Sequence, residues 1–138
     1  MSARVEYADA EPNGLAEMLG GLIQANLEQH PERETLLKPA VIAIKAPDAE
    51  VSVTIAIQPG KVTVHNGRPK MRPQLDVTSD STTLIELSSV PLRFGLPDSM
   101  TKVGREINAK LLKGQIKVKG MFAHLGALAR FNKLLSVA

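Results

Sequence analysis

The sequence predicts a single α+β domain, and three observations indicate this fold class. The chain has 138 residues, a length typical of one domain. Apolar residues recur with helical spacing near both ends of the chain, over residues 13–30 and 121–136. Between them, residues 40–66 are rich in β-branched side chains and are interrupted only by connections short enough for hairpins. Helices are therefore predicted to flank an antiparallel meander.

The hydrophobic core is expected to be aliphatic. Hydrophobic residues make up 43% of the sequence, whereas aromatic residues make up only 3%. A chain of this length buries about two thirds of the surface that its unfolded form exposes. The absence of cysteine excludes disulfides, thiolate metal sites and thiol nucleophiles.

The first half of the chain contains the clearest elements. Residues 1–12 lack periodicity and are predicted to form a flexible arm, which leaves 13–138 as the domain. Asn13 is placed to cap a helix that ends near His30, and Pro31 suits the start of a short turn. Three strands are then predicted at residues 40–46, 51–58 and 61–66.

The second half alternates short strands and helices. A basic loop with two prolines, GRPKMRP, precedes a fourth strand, QLDVT. Ser79 or Asp80 is predicted to cap a brief helix that ends near Ser88. Residues 90–97 are predicted to form an ordered loop, and a helix is predicted over 98–113, until Gly114.

The last strand and the terminal helix follow directly. QIKVK alternates apolar and basic residues, and Gly120 then leads into a helix whose apolar residues cover about half of its circumference. Plain core packing and contact with a ligand both explain such a surface. The pattern alone leaves these two alternatives open.

The composition of the first residues and the net charge indicate where the protein is expected in the cell and which partners are not expected. The opening residues MSARVEYADAEPNG are polar and acidic, unlike a secretory signal, and no apolar run is long enough to cross a bilayer. We therefore expect a cytoplasmic protein. The 17 basic and 14 acidic residues are interleaved and give a net charge of only +3, so no nucleic-acid partner is expected.

No residue set indicates catalysis or metal binding. His30, His65 and His124 lie on different predicted elements without metal-ligand spacing. There is also no GxSxG motif and no glycine-rich phosphate loop. We expect no enzyme activity, no cofactor and no metal.

The segment Gly114-Gln115-Ile116-Lys117-Val118-Lys119-Gly120, followed at once by an apolar helix, resembles the last strand and helix of the sterol carrier protein 2 family, in its bacterial branch. The fourth strand with a serine-started helix, over 75–87, is also similar to that family. The segment 88–112 is longer than the family's usual link before the last strand. This departure leaves the shape of the ligand cavity open.

The resemblance implies a specific architecture and function. It implies a five-stranded, mainly antiparallel sheet covered on one face by helices that enclose an apolar tunnel. The implied function is non-catalytic binding and intracellular transfer of a fatty acid, fatty acyl-CoA, phospholipid or sterol. Such a ligand needs little polar recognition, because each buried methylene contributes about 0.8 kcal/mol.

Within that framework, candidate ligand contacts come from the loop before the third predicted helix and from the last two helices. The expected lining residues are Phe94, Leu96, Met100, Val103, Ile107, Met121, Phe122, Leu125 and Leu128. His124 is a candidate contact for the ligand head group. The basic residues Arg68, Lys70 and Arg72 are candidates for contact with an anion or a membrane, although the sequence favours an ordinary solvated loop over an anion site.

Two other functions remain open at this stage. One is an interaction or dimerisation module associated with lipid or steroid metabolism, in which the helices contact a second copy or a lipid-metabolising enzyme. The other is an enzyme of acyl or steroid conversion, which would require His124 to converge with Glu86 or Glu106. A transient contact with a membrane surface is expected for lipid transfer.

Overall fold

The computed structural model describes residues 4–69, 72–89, 92–93, 96–97, 100–120 and 123–136. Four α-helices and eight strands are formed by these residues. The helices are α1 (Gly14–Gln29), α2 (Ser81–Ser89), α3 (Lys102–Leu112) and α4 (Leu125–Leu135). The strands are β1 (Arg4–Tyr7), β2 (Ala40–Ala46), β3 (Val51–Gln58), β4 (Lys61–Asn66), β5 (Leu75–Thr78), β6 (Leu92–Arg93), β7 (Leu96–Pro97) and β8 (Lys117–Lys119).

The main sheet has six strands in the order β1-β4-β3-β2-β5-β8. Strand β1 pairs parallel to β4 and β5 pairs parallel to β2, whereas the other three pairings are antiparallel. The expected five-stranded, mainly antiparallel sheet is therefore wrong in strand number, and the observed sheet is mixed. The α+β class itself is confirmed, and β6 and β7 form a separate antiparallel pair.

Strand β1 accounts for the sixth strand. Its four residues lie in the segment 1–12, for which the sequence predicted a flexible arm. Tyr7 packs against α1 at Gly20, where any added Cβ would overlap the tyrosine ring. The backbone N–H of Val5 donates to Oε1 of Gln24 at 2.8 Å. These contacts come from residues distant in sequence, so a four-residue alternation gave too weak a local signal to predict the strand.

Strand β5 is parallel to β2 because the chain crosses the sheet after β4. In the strand order, β4 lies on one side of the β2–β3 pair and β5 lies on the other. Thr54 on β3 donates from Oγ1 to the carbonyl of Gly67 at 2.8 Å, which fixes the start of the crossing. A connection of the length of residues 67–73 permits parallel pairing, which a tight hairpin cannot produce.

One face of the sheet, here called the inner face, is covered by helices. Its core residues are Ile42, Ile44, Val53, Ile55, Val62, Val64, Leu75 and Val77, all nearly inaccessible to solvent. Helix α1 contributes Leu19 and Ile23 to this core, and α4 contributes Phe131 and Leu134. The predicted cap of α1 is confirmed, because Oδ1 of Asn13 accepts a hydrogen bond from the N–H of Ala16.

Candidate functional site

An apolar cavity lies between the inner face of the sheet and the last two helices. Its floor is a row of paired side chains across three strands, Ile44 on β2, Val77 on β5 and Val118 on β8. Helix α4 forms one wall and helix α3 forms the other. The described residues that line it are Ile44, Val77, Leu84, Ile107, Asn108, Leu111, Ile116, Val118, Leu128, Phe131, Asn132 and Leu135.

The cavity volume is about 60 Å³. Pockets that hold small molecules usually measure about 300 to 1,000 Å³, so this space admits a few water molecules at most. The described residues therefore do not form the tunnel that was expected. The cavity occupies the expected position between sheet and helices, but its volume is too small for an acyl chain.

Among the described residues, helix α3 buries few side chains against the main core. Its only buried residues are Gly104 and Ile107. Ile107 packs with Ile116 in a small cluster that is separate from the main core. Two polar contacts from Lys110 reach helix α2, a hydrogen bond to Thr83 Oγ1 at 3.0 Å and an ion pair with Glu86 at 3.5 Å.

The predicted lining residues are distributed unevenly. Ile107 and Leu128 line the cavity, but Met100, Val103 and Leu125 are 77%, 41% and 46% exposed. On α3, the cavity is lined by Ile107, Asn108 and Leu111, and the buried residue of the first turn is Gly104 and not Val103. Of the other candidates, Phe94, Met121, Phe122 and Lys70 lie outside the described residues, and Leu96 is described only as part of the backbone of β7.

Several residues that line the cavity were not predicted from the sequence. Leu111, Phe131 and Leu135 belong to the apolar helical patterns that the sequence displayed, so their signal was present. Ile116 and Val118 carry the alternation of the last strand. Asn132 falls within the apolar arc of the terminal helix, so its position also gave a signal. Asn108 gave none, because a polar side chain beside an apolar cavity depends on tertiary packing.

A second, polar cleft brings together two of the predicted polar residues. Arg72 and His124 both line it, together with Lys119, which lies at the end of β8. The cleft is lined from the outer side of β5 and β8, where Asp76 is paired with Lys119 in the strand register. Arg68 does not line the cleft, but its guanidinium is 2.6 Å from Oδ2 of Asp76, which does. That ion pair raises the pKa of Arg68 further above its usual value.

The convergence required for an acid–base enzyme is not observed. Glu86 pairs with Lys110, and Glu106 is exposed on α3. His124 lies in the polar cleft and not in the apolar cavity. No cluster of three or more metal-ligating side chains was found within the part of the chain that the structure describes.

The fold and the cavity define an α+β protein in which helices pack on one face of a mixed sheet over a small apolar space. Among solved structures, the chain is similar to one described as "UbiJ-SCP2 Ubiquinone synthesis protein". The two chains share 14% identity, the match covers 88% of this chain and 92% of that one, and the TM-score is 0.62. The predicted resemblance to sterol carrier protein 2 is thus confirmed at the level of the fold.

A second similar structure is that of a conserved hypothetical protein from Thermus thermophilus, which has been suggested to be a sterol carrier protein. Identity is 12%, coverage is 99% of this chain and 96% of that chain, and the TM-score is 0.47. No family model and no curated protein matches the sequence. Among the helices that the structure describes, none is long and apolar enough to cross a bilayer.

Proposed function

We propose that this protein binds an apolar lipid between the sheet and helices α3 and α4, and that it carries the lipid without altering it chemically. The observation that supports this most directly is the apolar cavity beside a helix that buries few side chains against the main core, in a fold of the sterol carrier protein 2 type. Binding requires α3 to move away from β8, because the cavity of about 60 Å³ is too small for a lipid.

Burial of the ligand offsets the cost of such an opening. Separating Ile107 from Ile116 exposes two aliphatic side chains, at a cost of about 1.5 to 3 kcal/mol each. A ligand with about ten buried methylenes contributes about 8 kcal/mol. The ligand would also cover the side chains that the movement of α3 uncovers, so binding recovers the cost of exposing them.

The lining chemistry indicates the class of ligand. None of the residues that line the cavity is charged, and the two amides, Asn108 and Asn132, are its most polar members. Fatty acids, acyl groups, phospholipid chains and sterols suit this lining. An isoprenoid quinone is a further candidate, since a structure with this fold is described as a ubiquinone synthesis protein.

Non-catalytic function is supported by the same lining. No titratable side chain is among the described residues that contact the cavity. General acid–base catalysis needs such a group within hydrogen-bond reach of the reacting atom. The proposal is therefore binding and transfer of the lipid.

Filling the cavity tests this proposal. Leu111 lines the cavity, whereas its neighbour Leu112 is 88% exposed. We expect Leu111→Trp to weaken uptake of an anthroyloxy-labelled stearate at least about tenfold, because the indole occupies the space that opens. Leu112→Trp is the matched control and should bind like the original chain.

The fluorescence of the introduced tryptophans shows whether the two variants are folded. The chain has no tryptophan, so the emission of each new indole reports whether it is buried or exposed. Displacement of the labelled stearate by unlabelled stearate, cholesterol or a short-chain ubiquinone then ranks the ligand classes. Equal uptake by both folded variants, or no uptake by the original chain after delipidation, would contradict the proposal.

A second candidate function is a dimerisation or interaction module. It is favoured by the exposed apolar residues on and beside α3, namely Met100, Val103 and Leu112. Sedimentation of the delipidated chain distinguishes it from lipid binding. A concentration-dependent dimer that Leu112→Glu dissociates, together with no stearate uptake, would favour the interaction module.

A further inference from the structure

The polar cleft has a volume of about 450 Å³, within the range of small-molecule sites. It lies where the start of β5 meets the end of β8, and it is continuous with residues just before α4. Its lining shares no residue with that of the apolar cavity. The cleft is therefore a separate candidate site.

Positive charge is concentrated in the cleft. Arg72, Lys119 and His124 line it, and within the described ranges none of their side chains has an ion-pair or hydrogen-bond partner. The single acidic residue in the lining, Asp76, is already held by Arg68, which contacts both of its carboxylate oxygens. The remaining charge favours an anionic ligand.

The amide of Gln74 indicates that the ligand also carries a hydrogen-bond donor. Its Oε1 atom is buried and has no hydrogen-bond donor within the described part of the chain. A buried acceptor without a donor costs about 1 to 3 kcal/mol, so a ligand that donates a hydrogen bond here would gain that energy. A plain carboxylate or sulfate has only acceptors and cannot satisfy Gln74.

The base of the cleft is fixed by a close approach of two backbone segments. Gly120 has a φ of 84°, in the left-handed region. A Cβ at this position would overlap the carbonyl oxygen of Gln74. Glycine therefore lets the end of β8 lie directly against the residue that carries the unsatisfied amide.

We propose that this cleft binds a phosphate group on a molecule that also carries a hydroxyl, such as a polyol phosphate. The phosphate oxygens accept hydrogen bonds from Arg72, Lys119 and His124, and the hydroxyl donates to Oε1 of Gln74 after rotation of the Gln74 side chain brings that buried atom into the cleft. Two sources supply this chemistry, a soluble polyol phosphate and the head group of a glycerophospholipid. The proposal does not depend on lipid binding in the apolar cavity.

The test is a titration with sn-glycerol 3-phosphate, followed by the backbone and glutamine amide signals in NMR spectra. Lys119→Gln should weaken binding about fivefold, because it removes one charge from the cleft. Lys117→Gln is the matched control, since Lys117 is an exposed lysine on the same face of β8 that does not line the cleft. Its binding should remain within about twofold of the original chain.

The role of Gln74 is tested separately, by the ligand preference of a variant that lacks its amide. Gln74→Leu should abolish the preference for glycerol 3-phosphate over ethyl phosphate, which has no hydroxyl on its ester group. Co-sedimentation with phosphatidylglycerol vesicles, using phosphatidylcholine vesicles as the reference, identifies the source. If Lys119→Gln reduces vesicle binding and Lys117→Gln does not, the ligand is the lipid head group. If glycerol 3-phosphate binds saturably and vesicles do not bind, the ligand is a soluble molecule.

Several outcomes would overturn the proposal. They are an absence of saturable binding to glycerol 3-phosphate and vesicles alike, equal weakening by both lysine substitutions, and unchanged ligand preference in folded Gln74→Leu. Equal weakening of vesicle binding alone would mean that the basic surface contacts membranes without a defined site. Because Leu111→Trp should retain glycerol 3-phosphate binding, failure of the lipid proposal and failure of this one are distinguishable.

Discussion

Asp48 connects two elements that are far apart in sequence. It lies in the 3-10 turn after β2, and its carboxylate accepts hydrogen bonds from the backbone N–H and the hydroxyl of Ser81, at 3.0 and 2.6 Å. Ser81 is the first residue of α2. As predicted, Asp80 is at the cap position, because its carbonyl accepts from the N–H of Leu84, but a side chain 33 residues away binds the N–H of Ser81.

The hydrogen bond from the Ser81 hydroxyl is the main reason that the pKa of Asp48 lies below its usual value. Because the pKa of Asp48 is lower in the folded state than in the unfolded state, its ionised carboxylate stabilises the fold at pH values above the unfolded-state pKa. This contribution is lost as the pH falls through the folded-state pKa of Asp48. We expect Ser81→Ala to raise the pKa of Asp48 towards 3.8. An NMR titration of the carboxyl carbon measures it.

Thr82→Ala is the control for this measurement, because Thr82 is exposed on the same helix. It should leave the pKa of Asp48 unchanged. If both substitutions moved the pKa equally, the hydroxyl of Ser81 would not be its main cause.

At the scale of elements, helix α3 differs from the other long helices in how it is held. Helices α1 and α4 each bury several large side chains in the main core, whereas α3 buries only Ile107 among its large residues. Its other contacts include those of Lys110 with α2 and a contact with β7. This arrangement allows α3 to separate from the sheet while the core remains intact.

Lys110→Met should increase the opening of α3 without unfolding the protein. We expect amide hydrogen exchange in α3 to become faster by about two- to tenfold, since a hydrogen bond and a partly exposed ion pair are worth about 0.5 to 1.5 kcal/mol together. Exchange in α1 should not change. Mass spectrometry of peptic fragments provides the measurement.

Arg105→Met is the matched control, because Arg105 is an exposed cation on the same helix without a side-chain partner among the described residues. Faster exchange in this control would show that net charge, rather than the contacts of Lys110, governs the opening. Uniformly faster exchange in α1 and α3 would show that the two helices open together.

At the scale of the whole molecule, the first and last helices are joined by a buried amide. Asn26 on α1 is only 3% exposed, and its Nδ2 donates to the carbonyl of Leu134 at 2.8 Å. Leu134 lies in the last turn of α4, where carbonyl groups lack a partner within the helix. The bond thus satisfies a buried helix end across 108 residues of sequence.

Asn26→Leu should lower the free energy of unfolding by about 1 to 3 kcal/mol, because the buried carbonyl of Leu134 loses its donor. Urea denaturation followed by circular dichroism measures the change. Gln29→Ala, an exposed substitution on the same helix, should change the free energy by less than about 0.5 kcal/mol. An unchanged midpoint for Asn26→Leu would indicate that water reaches the carbonyl.

The elements that the sequence predicted correctly are those that depend on interactions between residues close together in the sequence. The meander β2–β4 and helix α1 were predicted closely, because alternation, helical periodicity and the Asn13 cap depend on neighbouring residues. Strand β1 and the parallel pairing of β5 were not predicted, because both depend on partners across the sheet. For the cavity, the sequence identified the correct helices but assigned exposed positions such as Met100 to the lining.

The sequence by itself determined an aliphatic α+β domain, since composition and periodicity specify which residues leave water and in which type of element. Only the tertiary structure decided that the sheet is mixed, that the apolar cavity is small, and that Arg72 and His124 meet in a cleft on the other side of β8. These features depend on how elements distant in sequence pack together, and sequence spacing does not encode those distances.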